Sequence, residues 1–343
     1  MASPLHVGVI GVGRIGAFHA ATLRSLEGVG ALTVTDADGA RAAQVARGLE
    51  ASTAETPEAL VEAGVEALVI ATPTGGHASM LGLAADAGLP AFCEKPVALD
   101  IAALDNVIEH VDRAGIFVQI GFQRRFDAGY RAAHDAVATG VLGNLLVLRA
   151  ATHDASPPEE AYIATSGGIF RDLHIHDFDA LHFVTGRQIV EVYADGAVRE
   201  TAWFDQHGDV DAAASVLRLE GGALAIVSGT RHDPLGYDVR LEVFGSADSI
   251  VVGLDPQTPL RSVEPGAPPG GTARYRTFLD RFEAAYRAEL AAFVDSVHTG
   301  SDSPCTLRDA RAALLVALAA DRSRAERRPV SIEEVVSAEA LSG

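Results

Sequence analysis

Gly11-Val12-Gly13-Arg14-Ile15-Gly16 follows directly on the apolar run Leu5 to Ile10 and opens a helical pattern, and no other stretch restricts the fold of this chain as much. The spelling alone is weak: with glycine at 34 of 343 positions, roughly 0.3 such matches arise by chance in a chain this long. The strand-turn-helix setting supplies the meaning. Gly11 allows the tight turn, Gly13 lets the backbone approach a pyrophosphate, and Gly16 lets helix and sheet pack closely. The helix N-terminus, with Arg14 and Ile15 in its first turn, faces the anion. Asp36 closes the second apolar run about 20 residues past Gly16, where a carboxylate accepts from the adenosine ribose hydroxyls and repels a 2′-phosphate. NAD is therefore favoured over NADP.

The rhythm around this motif predicts the rest of the first half. Short Val/Leu/Ile-rich runs at Leu5 to Ile10, Ala31 to Thr35, Ala67 to Ala71, Pro90 to Cys93 and Ile116 to Ile120 alternate with amphipathic segments, the signature of a parallel α/β sheet. Helices are expected to open at Thr56-Pro57-Glu58 and at Asp100, the second ending on Gly115. After Gly121 strands follow one another without helices between them: Ala212 to Leu219, Ala223 to Ser228, Val239 to Phe244 and Ser249 to Val252. Gly221-Gly222 reads as a hairpin turn joining the first two. The expected architecture is α/β: an N-terminal Rossmann dinucleotide-binding domain over 1–121, then an α+β domain over 122–343 with a large, mostly antiparallel open sheet. Late helices near Thr277 to His298 and Thr306 to Arg324 are free to pack back on the first domain, and Val263 to Gly271 is the most linker-like stretch.

Charge and composition narrow the partners. The sum 27 − 46 gives a net charge of −19, which repels nucleic acid and anionic membrane faces. Cys93 and Cys305 are the only two cysteines, too few for a disulfide scaffold and without zinc-site spacing. No basic segment precedes an apolar one near Met1, so a cytoplasmic protein is expected. The basic residues are all arginine except one: Lys95, in Glu94-Lys95-Pro96.

Thr72-Pro73-Thr74-Gly75-Gly76-His77 and Glu94-Lys95-Pro96 both follow predicted strands, at the edge where an open α/β sheet binds ligands. The first reads equally as an ordinary loop with His77 capping the next helix. Farther on, the densest polar cluster runs from Gly167 to Asp179. On one helix Asp172, His176 and Asp179 share a face at i, i+4 and i+7, and a carboxylate one turn from an imidazole suits a general base. A solvated face with ordinary i, i+4 pairing is the plainer alternative. His174, His176 and His182 are close in sequence, but His174 and His176 point to different sides of a helix, and a metal site is set aside.

These strings, together with GFQRRFD (Gly121 to Asp127), SGGIFRDLHIHDFD (Ser166 to Asp179) and GYDVRLEVFGS (Gly236 to Ser246), resemble the Gfo/Idh/MocA family of sugar and cyclitol oxidoreductases, and within it the inositol 2-dehydrogenase branch. The resemblance implies NAD-dependent oxidation of a secondary hydroxyl on a cyclitol or sugar, with myo-inositol to its 2-keto product the leading case. It implies Lys95, Asp172 and His176 as the catalytic trio. Gly11, Gly13, Arg14, Ile15, Gly16, Asp36, Thr72, Pro73, His77, Glu94 and Lys95 would hold the cofactor. Arg125, Asp154 and Tyr237 would face the substrate beside the trio. A small polyol is then the partner, and assembly as a dimer or tetramer through the second domain's open sheet is implied as well.

Under this reading His176 takes the hydroxyl proton, Asp172 holds the ring, and Lys95 donates to the reacting oxygen. An ammonium about 4 Å from that charge contributes on the order of 4 kcal/mol at an effective dielectric of 20. Two departures from related chains, His153 and Leu173-His174, fall near the expected polyol site. An aldose or anhydrosugar oxidoreductase and a non-enzymatic NAD-sensing regulator are the other readings the resemblance allows.

Overall fold

The computed structural model describes residues 3–266 and 273–342; of the linker-like stretch, residues 267–271 lie outside the described residues. The chain divides into two compact units, 1–123 with 284–311, and 124–283 with 312–343. The boundary expected after residue 121 thus falls after 123, and one late segment belongs to the first unit.

The first unit is a doubly wound sheet. Strands β1 (Leu5–Ile10), β2 (Val29–Thr35), β3 (Ser52–Thr53), β4 (Ala67–Ile70), β5 (Ala91–Glu94) and β6 (Val118–Gly121) lie in the order β3-β2-β1-β4-β5-β6, and every pairing is parallel. Helices α1 (Arg14–Arg24), α2 (Gly39–Leu49), α3 (Pro57–Glu62), α4 (Thr74–Ala87) and α5 (Ile101–Ala114) connect them. Their starts follow from local chemistry: Asp38, Thr56 and Asp100 accept backbone N–H groups of the first turns of α2, α3 and α5, which satisfies donors the helix leaves open. Strand order reverses between β1 and β4, so the ligand crevice of such a sheet lies beyond the C-terminal ends of these strands. Leu290, Phe293 and Val294, from the returning segment, complete the core around Val7, Val9, Val34 and Phe92. The Phe293 ring packs edge-on against Phe92, at 6.0 Å between centroids.

The 3-10 turn Gln123–Phe126 spans the first boundary in the chain, and the second unit contains α6 (Ala128–Ala138), β7 (Leu145–His153), α7 (Glu160–Ser166), a π-helical turn Phe170–His174, α8 (Ile175–Thr185), β8 (Ile189–Ala197), α9 (Trp203–Gln206), β9 (Ala212–Leu219), β10 (Leu224–Thr230), β11 (Asp238–Gly245) and β12 (Ser249–Val252). Helices α10 (Phe278–Thr299) and α11 (Leu307–Glu326) each cross a unit boundary, and β13 (Val330–Ser331) and α12 (Ile332–Ser342) close the chain. The seven-stranded sheet has the order β12-β11-β7-β10-β9-β8-β13. The turn between β9 and β10 uses Gly221 and Gly222 at φ 78° and 89°, backbone that favours glycine. Among the described residues its pairings are antiparallel but for one: β7 and β10 run parallel, with His153 opposite Thr230 at their ends. Burial alternates along β9 and β10, so one face packs inward and the other is open. No helix among the described residues is long and apolar enough to cross a membrane.

Candidate active site

In the first unit the glycine loop adopts the geometry its spacing requires. Gly11 sits at φ 87°, and a Cβ there would press on the Ala71 carbonyl at 2.7 Å. A Cβ on Gly16 would collide with the Gly11 carbonyl oxygen, so helix α1 can rest on the loop only without it. At Gly13 nothing lies within 4 Å of the Cβ position: the missing side chain leaves room outward, not inward. Arg14 is exposed and Ile15 half-buried in the first turn of α1, which has no side-chain cap. Asp36 lies beneath the loop, its Oδ2 accepting from the Val12 N–H and its Oδ1 from the Asp38 N–H, each at 2.8 Å.

The loop after β4 supplies a buried Thr72 hydroxyl with no hydrogen-bond partner among the described residues and an exposed Pro73. The open ground at Gly13, the uncapped helix start, the orphaned Thr72 hydroxyl and the Asp36 carboxylate together fit a dinucleotide. His77 is buried in α4, with Nδ1 2.7 Å from the Pro96 carbonyl and Nε2 2.8 Å from the Thr72 carbonyl. Burial lowers its pKa below the ordinary value, against those two carbonyls and Glu94, which raise it. In the neutral ring only one nitrogen donates. The imidazole therefore donates to one of these carbonyls and packs against the other, where the end of β4 meets the turn after Lys95.

Glu94 ends β5, buried. Its Oε1 lies 2.6 Å from His19 Nε2, and its Oε2 accepts from the Lys95 N–H at 3.3 Å. The Lys95–Pro96 peptide is cis. His19 and the cis bond are not readable from spacing, although a histidine one turn past Gly16 on α1 faces the sheet by helical periodicity.

In the second unit the polar segment is not one regular α-helix. A π turn spans Phe170–His174 and α8 begins at Ile175. A π turn carries one more residue than an α turn, so the 3.6-residue period behind the expected common face of Asp172, His176 and Asp179 is interrupted, and the two outer carboxylates take different partners. Asp179 is buried at 2% exposure and bound by Arg125, whose Nε lies 3.0 Å from Oδ2 and NH2 2.6 Å from Oδ1. The Arg125 guanidinium also lies over the Phe183 ring at 5.5 Å. Arg124 does the same for Asp177, at 2.5 Å, and donates to Thr152. Two successive arginines thus anchor α8 from its carboxylates.

Asp172 stands apart from these pairs. Its Oδ1 accepts from the Tyr162 hydroxyl at 2.8 Å and its Oδ2 lies 2.9 Å from Arg231 NH2. Arg231 NH1 reaches Asp154 Oδ2 at 3.3 Å. His176 is half-buried at the start of α8, while Tyr237 is buried beside β11. Burial, then the nearby Asp154 and Asp177, push its phenol well above its ordinary pKa against the Arg124 charge. His153 places Nδ1 2.9 Å from the Thr230 hydroxyl. Tyr162 and Arg231 escaped the sequence reading because neither belongs to a patterned motif: one sits in the short helix α7 that follows Pro157-Pro158, the other among 26 arginines.

A doubly wound dinucleotide unit followed by a sheet unit carrying clustered carboxylates and a histidine is the plan of a two-domain nicotinamide-dependent oxidoreductase. The chain belongs to the GFO/IDH/MocA oxidoreductase family: the family's NAD-binding Rossmann fold matches residues 5–122, and its C-terminal domain matches residues 130–251. It is 35% identical over 334 residues to a myo-inositol 2-dehydrogenase of Thermotoga maritima, covering 97% of this chain and 100% of that one. It is 39% identical over 321 residues to the myo-inositol dehydrogenase Hyg17 of Streptomyces leeuwenhoekii, covering 92% and 96%. A crystal structure of scyllo-inositol dehydrogenase from Lactobacillus casei with bound NAD(H) and scyllo-inositol superposes with TM-score 0.88 at 28% identity, covering 96% of this chain and all of that one.

Proposed function

We propose that this protein is an NAD-dependent cytoplasmic dehydrogenase that oxidises a secondary ring hydroxyl of a cyclitol, myo-inositol to 2-keto-myo-inositol in the first instance, and that it works as a homo-oligomer. The observation that carries the reading is the cluster in the second unit. Asp154 and Asp172, tied to one guanidinium, offer fixed acceptor oxygens of the kind that polyol hydroxyls donate to. The similarity to two myo-inositol dehydrogenases over more than nine-tenths of the chain supports the substrate class. Cys93 and Cys305 are both buried and are not joined to one another, which suits a reducing compartment.

NAD, when bound, supplies the hydride acceptor. The protein's own residues do the rest. His176 takes the proton of the reacting hydroxyl, Asp172 stabilises the imidazolium so formed, and Lys95 donates to the oxygen as negative charge gathers on it. Lysine suits that place because a compact ammonium meets one oxygen, whereas a guanidinium is a planar fork made for carboxylates. Asp154, Tyr237 and Arg125 complete the substrate side, Arg125 by way of Asp179.

Initial rates on a panel of inositols and hexoses, with NAD and NADP in parallel, test the reading. Fastest turnover with an inositol and NAD is expected; turnover confined to aldoses, or tight NAD binding without any NADH, overturns it. Lys95→Arg should lose most turnover while binding NAD as before, and His176→Asn should cut kcat by about 10² to 10⁴. Near-normal rates in either variant would remove the role given to that residue.

A further inference from the structure

Arg231 stands at the junction of Asp154 and Asp172, and the proposed mechanism gives it no task of its own. It is the first residue past β10, 2% exposed, and its backbone N–H donates to the Asp211 carbonyl at 2.8 Å. Because β10 runs parallel to β7 with Thr230 opposite His153, the residues just beyond both strands emerge together. Those residues are Arg231 and Asp154, and the Asp154 N–H continues the ladder to the Thr230 carbonyl at 2.9 Å. The other arm of the guanidinium meets Asp172, from the π turn.

We propose that Arg231 is a positioning residue for substrate selection: its planar fork sets the spacing between Asp154 and Asp172, and Tyr162 latches the second of them. This deepens the dehydrogenase reading and rests on it. The chemistry is that of a rigid spacer. A guanidinium stays charged, and its two terminal nitrogens lie in one plane at a fixed separation. Burial works against the charge, but Asp172, Asp154 and Asp209 more than offset it and raise the Arg231 pKa. Tyr162 fixes the remaining freedom, since a carboxylate engaged at one oxygen can still turn about its own bond. Burial, then Asp172, push the Tyr162 phenol far above its ordinary pKa, with Arg231 opposing, so it stays a donor. Vicinal ring hydroxyls differ between epimers in direction, and two acceptors held at one spacing distinguish those directions where two loose acceptors cannot.

Arg231→Lys keeps the charge and removes the fork; Tyr162→Phe, on a partly exposed side chain, removes only the latch and leaves the buried fork in place. With the full-length protein, NAD affinity by fluorescence titration should be unchanged in both. Arg231→Lys should raise KM for the preferred inositol about tenfold with a smaller fall in kcat, and should compress the ratio of kcat/KM between myo- and scyllo-inositol at least about fivefold. Tyr162→Phe should do the same more weakly, about two- to fivefold in KM. Equal losses on both inositols, leaving the ratio intact, overturn the inference. Crystal structures of wild type and Arg231→Lys read the placement of Asp154 and Asp172 whether or not anything is turned over, and unmoved carboxylates overturn it too. A wild type that reduces no NAD with any inositol, together with displaced carboxylates in Arg231→Lys, instead overturns the substrate reading and leaves the spacer role standing.

Discussion

Asp36 shows how one side chain carries two tasks. Its carboxylate ties the glycine loop to β2 through the Val12 N–H and caps its own turn through Asp38, and its unused lone pairs are what ribose hydroxyls would meet. Arg41 NH1 lies 3.5 Å from Asp36 Oδ1 and is half exposed. With the carboxylate gone, this guanidinium gains the freedom to pair with a 2′-phosphate. Asp36→Ser should therefore weaken NAD about tenfold or more and improve kcat/KM for NADP by a similar factor. Rates at subsaturating NAD and NADP measure both. An Asp36→Ser enzyme that keeps its preference for NAD would show that selection lies elsewhere in the loop.

At the scale of elements, the π turn is the clearest departure from what periodicity shows. It carries His174, wholly buried between Phe170 and Phe178 with ring centroids at 5.6 and 6.1 Å, and neither ring nitrogen has a hydrogen-bond partner among the described residues. Gly229 on β10 leaves the space: a Cβ there would run into the imidazole. Burial above all lowers the His174 pKa from 6.5 to about 4, Arg231, Arg124 and His153 adding to it and Asp177 opposing. The folded ring thus refuses a proton that the unfolded chain takes up below about 6.5, so stability is lost as pH falls from there towards 4, by about 3 kcal/mol for this group. Urea unfolding at pH 7, 5.5 and 4.5 should show wild type losing ground to His174→Gln over that range. A constant difference between the two would mean that the ring is charged or solvated in the fold.

What the sequence revealed at this scale follows from what local patterns encode. Five of the first unit's strands and the caps at Thr56 and Asp100 were legible because buried parallel strands are continuous apolar runs and caps use a few residue types; the two-residue polar β3 and the Asp38 cap were not. The β9–β10 hairpin was legible from its two glycines. The parallel β7–β10 pair was not, because the partners are far apart in the chain and alternation looks the same for either direction of pairing. That pair is what brings Asp154 beside Arg231, so the clamp on Asp172 was hidden for the same reason. The segment from Ile169 to Val184 was legible as helical, but a π turn has no residue signature of its own, and the expected single face depended on an unbroken 3.6-residue period.

Across the whole molecule a net charge of −19 opposes self-association, yet the open face of the second sheet is locally apolar and balanced. Tyr193, Val216 and Ile226 are aligned across β8, β9 and β10, 43%, 46% and 41% exposed. Arg218 with Glu191, and Arg149 with Glu242, flank that ridge as ion pairs on the same sheet. Long-range repulsion fades beyond about 8 Å at physiological ionic strength, whereas an apolar ridge covered by a second copy is removed from water at roughly 25 cal/mol per Å². In a two-fold contact the same patch meets itself, so a charge introduced once in the chain appears twice in the interface, close to its own image. Val216→Glu lies on the solvent side of β9, where the single chain has no packing to lose. It should convert the proposed oligomer to a monomer in light scattering at micromolar concentration while leaving each chain folded by circular dichroism. If wild type is itself monomeric under those conditions, or if Val216→Glu assembles as wild type does, the open sheet is not the surface through which copies of this protein meet.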